Sequence, residues 1–162
     1  MHQKFEIEYE LFDHAGLLPL ADQSLLEAAR KATGTAFAPY SHFRVGAAAI
    51  ISTGATIIGS NQESASYPVG ICAERTLLNS IGSQFSGEKI TAIAISYDAI
   101  GKSSNVPLSP CGMCRQSLLD YENRYDAPIK IILAGLEGSV MVFKSASLLL
   151  PFGFTGSSLP NH

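Results

Sequence analysis

The hydrophobic residues of this chain fall into three stretches with helical spacing and several shorter runs typical of strands. A first helix is predicted over residues 21–33, where one face carries the apolar side chains of Leu25, Leu26, Ala29 and Ala32. Two further helices are predicted over 72–82 and 111–125. The strand-like runs lie at 43–51, 55–59, 90–96, 129–133 and 140–143.

The order of these elements predicts a layered α/β domain. Ser52-Thr53-Gly54 joins the first two strands and predicts an antiparallel hairpin. Helices then alternate with the later strands, which favours a three-layer α/β/α fold around a mixed sheet of five strands. The segment 98–110, rich in Gly, Ser, Asn and Pro, is predicted to be the longest loop, and 145–150 a last short turn of helix.

The first twenty residues differ from the rest of the chain. Residues 1–20 mix charged and aromatic side chains without a persistent period, and we expect an N-terminal arm, followed by a single domain over 21–162. The first ten residues are acidic and polar where a signal peptide would be apolar, and no apolar run reaches the ~18 residues of a membrane span. We therefore expect a cytoplasmic protein.

The composition argues against nucleic acid as a partner. The formal net charge is −3 and lysine and arginine never form a run, so no surface for a phosphate backbone is predicted. Hydrophobic residues make up 46% of the chain and charged residues 15%, which is apolar for a soluble protein. Apolar surface of this kind is often buried between subunits.

All three cysteines fall in two short segments. Cys72 stands two positions before Glu74, and Cys111 and Cys114 form a C-x-x-C pair. Both segments open a predicted helix, so two helix N-termini would bring three thiolates to one zinc ion. Three protein ligands leave the fourth tetrahedral position open, which is typical of a catalytic zinc that activates a water molecule. Glu74 is then the expected acid/base group for that water.

Two arginines directly follow the cysteine segments. Three thiolates leave a zinc site with net negative charge, which weakens the metal as a Lewis acid. We expect Arg75 and Arg115 to donate hydrogen bonds to the sulfurs and so offset this charge. For Arg115, a solvated position on its helix is the simpler alternative.

A structural zinc site is the main alternative to a catalytic one. A C-x-x-C pair alone is more often a structural or redox element. A structural site needs a fourth protein ligand, but the four histidines lie outside both segments: His2, His14, His42 and His162. His42 is the nearest rival ligand. In this alternative the protein is a zinc-stabilised binding module and Glu74 caps a helix.

The two cysteine segments resemble the zinc nucleoside and nucleobase deaminases, in which a C-A-E or H-A-E segment precedes P-C-x-x-C. Residues 67–76 and 109–116 are most similar to the homotetrameric cytidine deaminases, and the likeness extends from about Pro39 to Phe154. The resemblance implies the cytidine deaminase-like fold, one zinc per subunit on the three cysteines, and Glu74 as catalytic residue.

The resemblance also implies a site for a pyrimidine nucleoside. Asn61 and Glu63 match a motif that holds the ribose 3′-hydroxyl, and Phe43 matches a phenylalanine that packs on the pyrimidine. Taken alone, Asn61 and Glu63 would more simply cap or solvate a loop, and Phe43, at the start of an apolar strand, would more simply be a core residue. The carbonyl of Ser109 would face the departing ammonia. A neighbouring subunit would supply Ala65 and Tyr67 near the 5′-hydroxyl and Phe154 against the base.

Some positions depart from the family pattern. Arg44 stands where the family often has proline, and Gln62 where it often has an aliphatic residue. The tail contains both Phe152 and Phe154, which leaves open which of them stacks.

The implied activity is hydrolytic deamination of cytidine, and also of 2′-deoxycytidine, to the uridine product and ammonia in pyrimidine salvage. The implied assembly is a homotetramer, or a dimer, with active sites shared between subunits. One alternative substrate is another cytosine compound, such as the antibiotic blasticidin S. Polynucleotide editing is a further alternative, which the negative net charge disfavours.

Overall fold

The structure, a computed structural model, describes residues 1–160, which form one mixed sheet with helices on both faces. His162 lies outside the described residues. The strands are β1 (Glu10–Phe12), β2 (Phe43–Ile51), β3 (Thr56–Ser60), β4 (Ile90–Ala99), β5 (Lys130–Ala134) and β6 (Val140–Phe143). The α-helices are α1 (Leu20–Ala32), α2 (Ala73–Gln84) and α3 (Gly112–Tyr125). A short 3₁₀ turn over Ala146–Leu149 follows the last strand, as predicted.

The strands are arranged in the order β1-β6-β5-β4-β2-β3. β4 and β5 pair in parallel, and α3 lies in the connection between them. All other neighbouring strands pair antiparallel, including the predicted β2–β3 hairpin. The prediction of a mixed sheet is therefore confirmed.

The prediction of five strands is wrong, because the N-terminal arm contributes a sixth. β1 pairs with β6, so that Leu11 lies opposite Met141, and the ring of Tyr9 stacks on Phe143 at 5.6 Å between centroids. β1 has only three residues, and its partner lies at the other end of the chain. The one local signal is a period of two in apolar side chains, at Phe5, Ile7, Tyr9 and Leu11.

Alternating side chains of the sheet divide the core between two faces. On one face α1 packs on alanines and isoleucine of the central strands, such as Ala48, Ala94 and Ile132. On the other face α2 and α3 pack on the strand residues that precede these by one position, Ala47, Ile93 and Ile131. These two clusters confirm the three-layer α/β/α arrangement. They also place α2 and α3 side by side.

No helix within residues 1–160 combines the length and hydrophobicity that crossing a bilayer requires.

Candidate active site

Both cysteine segments lie at helix N-termini. Cys72 is the residue before α2, Cys111 is the residue before α3, and Cys114 lies in the first turn of α3. Each helix closes its first turn on its cysteine, since the carbonyls of Cys72 and Cys111 accept from the N–H of Thr76 and Arg115, each at 2.9 Å. The partial positive charge of a helix N-terminus favours thiolates at these positions.

The three sulfur atoms form a compact group. Sγ of Cys72 lies 3.9 Å from Sγ of Cys111, which lies 3.4 Å from Sγ of Cys114. Thiolates bound to one tetrahedral zinc, at Zn–S of about 2.3 Å, lie about 3.8 Å apart. The donor set and its spacing therefore fit one zinc per chain. Among residues 1–160 the group contains these three donors, and neither His42 nor a carboxylate joins it. Three donors are one fewer than the four ligands of a structural zinc site.

The thiols also affect one another's protonation. Hydrogen bonding with the Cys114 thiol lowers the pKa of Cys72 to about 6, although burial and the Glu74 carboxylate oppose this shift. The same pairing, together with burial, raises the pKa of Cys114 above its ordinary value. Cys72 is thus the first of this pair to ionise, and a bound metal would displace the remaining protons.

Glu74 is a buried carboxyl in the first turn of α2, only 5% exposed. Burial raises its pKa above the ordinary value, and weaker hydrogen bonds from its own N–H and from Cys114 oppose this shift. A carboxyl of raised pKa can hold and release a proton nearer to neutral pH than an exposed one. It faces the same cavity as the Cys72 and Cys111 thiols.

This cavity has a volume of about 460 Å³, enough for a small molecule. The predicted site residues that line it are Phe43, Asn61, Glu63, Tyr67, Cys72, Glu74, Ser109 and Cys111. Sequence reasoning missed several others on its wall: Val45, Ile71, Leu108 and Met113. Each of these stands within two residues of a predicted site residue, and that proximity was the only available signal.

Asn61 and Glu63 both hold the chain around Phe43. Oδ1 of Asn61 accepts from the Val45 N–H at 2.7 Å, and its Nδ2 donates to the Phe43 carbonyl at 2.9 Å. Glu63 accepts from the Ser41 hydroxyl and from two backbone N–H groups. The ring of Phe43 stacks on Tyr97, with centroids 5.1 Å apart and planes at 17°. The structure thus brings these three predicted residues together.

Three predicted residues are exposed to solvent, and two of them lie outside the cavity lining. Tyr67 lies at its rim and is 76% exposed, while Ala65 is exposed and is not part of the lining. Phe154 is 59% exposed and also lies outside the lining, with its carbonyl accepting from Nε2 of Gln116 at 2.8 Å. Phe152 is more exposed still, at 93%. Within one chain, these aromatic side chains do not close the cavity.

The two arginines differ in their surroundings. Arg75 is half-buried, and its charge contributes to the lowered pKa of Cys72. Arg115 donates through Nε to the carbonyl of Pro110 at 2.8 Å and through Nη1 to that of Leu149 at 3.3 Å. Arg115 therefore braces the residue before Cys111 against the C-terminal 3₁₀ turn.

Known proteins share this sequence and fold. The family model described as the cytidine and deoxycytidylate deaminase zinc-binding region matches residues 20–125. The cytidine deaminase of Halalkalibacterium halodurans is 36% identical over 137 residues, which are 85% of this chain and 96% of that protein. The cytidine deaminase of Mycobacterium tuberculosis is 36% identical over 117 residues, 70% of this chain and 84% of that protein.

Solved structures of cytidine deaminases also match this chain in sequence and fold. A crystal structure of cytidine deaminase from Burkholderia pseudomallei is 37% identical, with a TM-score of 0.69, over 81% of this chain and 97% of that one. The M. tuberculosis crystal structure is 30% identical, with a TM-score of 0.62, over 81% of this chain and 94% of that one. Since the family match includes both cysteine segments and their sulfurs fit zinc, the chain belongs to the zinc-dependent, hydrolytic cytidine and deoxycytidylate deaminase family.

Proposed function

We propose that this protein hydrolyses the 4-amino group of cytidine and of 2′-deoxycytidine, releasing uridine or 2′-deoxyuridine and ammonia, in pyrimidine salvage. The observation that carries the proposal is the position of Glu74. Its buried carboxyl faces the same cavity as the thiols of Cys72 and Cys111, within the first turn of the helix that begins after Cys72. This arrangement supports a role for Glu74 as the acid/base group beside the zinc site.

The chain's residues divide the chemistry between them. Zinc held by Cys72, Cys111 and Cys114 would supply a water molecule of lowered pKa for attack on C4 of the pyrimidine. Glu74 would take a proton from that water and deliver it to ring N3, and would then take the proton of the new C4 hydroxyl group and deliver it to the leaving amine. Its raised pKa suits it to both steps, because the group must accept and donate near neutral pH. The carbonyl of Ser109, on the cavity wall, would accept from the departing ammonia.

The nucleoside would lie between polar and aromatic walls of the cavity. Phe43 packs on the pyrimidine, while Asn61 and Glu63 hold the sugar hydroxyls. Arg75 reduces the negative charge that three thiolates would place at the site, consistent with its effect on the pKa of Cys72.

Neighbouring subunits would complete this site. Tyr67 and Phe154 are large side chains left exposed beside or outside the cavity, and Ala65 lies on the same exposed segment as Tyr67. We propose a homotetramer in which these residues reach a neighbour's nucleoside, Ala65 and Tyr67 near the 5′-hydroxyl and Phe154 near the base. Size-exclusion chromatography with light scattering tests the assembly. A fully active monomer would contradict it.

The activity is tested by mixing zinc-loaded protein with cytidine or 2′-deoxycytidine and following loss of the 4-amino chromophore by ultraviolet absorbance. We expect turnover of both nucleosides, and Glu74→Gln should lower kcat by roughly 10²- to 10⁴-fold with unchanged zinc content. The matched control is Glu27→Gln, on the exposed side of α1, which should behave as wild type. Absence of turnover by the zinc-loaded wild type would overturn the proposed function.

A further inference from the structure

The Glu63 carboxylate is held by Tyr40 and Ser41, in a loop that comes 23 and 22 residues earlier in the chain. The Ser41 hydroxyl donates to Oε1 of Glu63. Oε2 accepts from the backbone N–H of Tyr40 at 2.9 Å and of Ser41 at 3.3 Å. These bonds lower the pKa of Glu63 below its ordinary value, and the Ser41 hydroxyl has the largest effect.

Glu63 can accept one more hydrogen bond beyond these three. An ionised carboxylate accepts about four hydrogen bonds, two at each oxygen. Oε2 already accepts two and Oε1 accepts one, so one acceptor position on Oε1 is free. Since Glu63 lines the cavity, a hydroxyl group of a substrate's sugar is the donor that suits this position.

The same serine hydroxyl is also bonded to the backbone of Phe43, whose side chain lines the cavity. Its oxygen accepts from the N–H of Phe43 at 3.0 Å, while its proton goes to Glu63. The intervening His42 has a left-handed backbone, with φ of 55°, and is fixed on both sides: its N–H donates to Ala38 and its carbonyl accepts from Ile100. The turn around Ser41 therefore has little freedom to change its shape.

We propose that Ser41 is a positioning residue that orients the Glu63 carboxylate toward the sugar and couples it to Phe43, which packs on the base. This inference rests on the proposed function, and it deepens the account of how that site selects a nucleoside. Losing the Ser41 hydroxyl leaves Oε1 of Glu63 without its donor, so that only the two backbone N–H groups hold the carboxylate, and it leaves the Phe43 N–H without its partner. Ground-state binding should suffer more than the chemical step, because neither group reaches the amine.

The test compares steady-state deamination by Ser41→Ala, Ser41→Thr and wild type. We expect Ser41→Ala to raise KM for cytidine about tenfold, the effect of one hydrogen bond to a charged group, with kcat within about threefold of wild type. Ser41→Thr retains the hydroxyl and should restore KM. Ser24→Ala, which removes a hydroxyl that donates only to the Leu20 carbonyl on α1, is the matched control.

The sugar dependence identifies the route of the effect. With 2′,3′-dideoxycytidine, which lacks the hydroxyls that Glu63 would hold, Ser41→Ala should raise KM less than it does with cytidine, because only the contact with Phe43 is then lost. In a double-mutant cycle, the effects of Ser41→Ala and Glu63→Gln on KM for cytidine should not add, since both changes weaken the same interaction of the Glu63 carboxylate with the sugar. A KM for cytidine unchanged by Ser41→Ala, or a loss confined to kcat, would overturn the inference.

Binding measurements keep this test separate from that of the proposed function. Calorimetric titration of cytidine into Glu74→Gln, with and without Ser41→Ala, measures Kd without turnover, and the second change should weaken binding about tenfold. Cytidine bound equally well by both proteins overturns the role of Ser41 even if the wild type is an active deaminase. An inactive wild type that binds cytidine through Ser41 overturns only the proposed reaction, and no binding at all overturns both.

Discussion

The sulfur atoms of Cys72 and Cys111 lie 3.9 Å apart, although the two residues are separated by 39 positions in the chain. They meet because α2 and α3 pack side by side on one face of the sheet, with their N-termini at the same end. The packing uses buried residues such as Leu77, Ile81 and Leu118 rather than the metal. The hydrophobic core therefore positions the zinc site, while the metal itself is not part of that core.

Removing the metal should inactivate the protein without unfolding it. We expect chelator-treated protein to lose deamination, retain its far-ultraviolet circular dichroism, and melt roughly 10 °C lower, since a tightly bound ligand stabilises the native state by about 4 kcal/mol. Adding back zinc should restore both activity and Tm. An unfolded chain after chelation would show that the core depends on the metal.

The close approach of α2 to the sheet depends on Gly59. A Cβ at this position would lie 2.6 Å from the Leu77 nitrogen and 2.7 Å from the Ala73 carbonyl oxygen, both in the backbone of α2. We expect Gly59→Ala to displace the helix that begins after Cys72, lowering stability by about 1–3 kcal/mol and weakening zinc retention. Urea denaturation and metal analysis measure the two effects.

Gly34→Ala is the control for that change, because its added Cβ would meet no atom within 4 Å. It should leave zinc content and the urea midpoint close to those of wild type. If Gly59→Ala behaved like Gly34→Ala, the close approach of helix and strand would not matter for the site.

Glu122 stabilises the C-terminal part of the fold by accepting several hydrogen bonds. Its Oε2 accepts from the N–H of Ile129 and of Ala146, each at 2.8 Å, and its Oε1 accepts from Ser145 and Ser147. Glu122→Ala would leave buried N–H groups without partners, and we expect a loss of about 3 kcal/mol in the free energy of unfolding.

Urea denaturation measures the effect of Glu122→Ala, and the exposed Glu137→Ala serves as its control. Glu122→Gln retains a carbonyl oxygen and should cost less than Glu122→Ala. Equal stabilities of Glu122→Ala and Glu137→Ala would contradict a structural role for this carboxylate.

The lowered pKa of Glu63 predicts a pH-dependent contribution to stability. The Ser41 hydroxyl and two N–H groups favour the ionised form in the native state, so the folded pKa lies below the ordinary value of 4.5. Stability from Glu63 is then present above pH 4.5 and is lost as the pH falls through the folded pKa.

The direction of this pH dependence is checked by thermal melting of the metal-free wild type and of metal-free Glu63→Gln, from about pH 7 to about pH 3.5. The Tm of the variant should be lower at neutral pH, and the difference should shrink below pH 4.5. For the control Glu27→Gln, the difference in Tm from wild type should not change with pH in this way. A difference that grows on acidification would mean that Glu63 is held in its protonated form instead.

Local sequence was sufficient for most of the helices and strands. The bounds of α1, α2 and α3 lie within two residues of the predicted ranges, because Leu25, Leu77, Leu118 and their neighbours recur at the period of a helix. β4 continues to Ala99, three residues beyond the predicted end, because it pairs there with Phe43 of β2. That pairing depends on a strand far away in the chain.

The sequence by itself determined that this protein has a zinc site, because three thiols in two short segments predict the metal, and the carboxylate two positions after Cys72 made Glu74 the proposed acid/base group. Only the tertiary structure decided the sixth strand, in which Leu11 meets Met141, and the grip of Ser41 on Glu63. Both depend on which distant segments pack together. Hydrophobic periodicity specifies which face of an element is buried, but it does not specify which polar groups that burial brings within hydrogen-bonding distance.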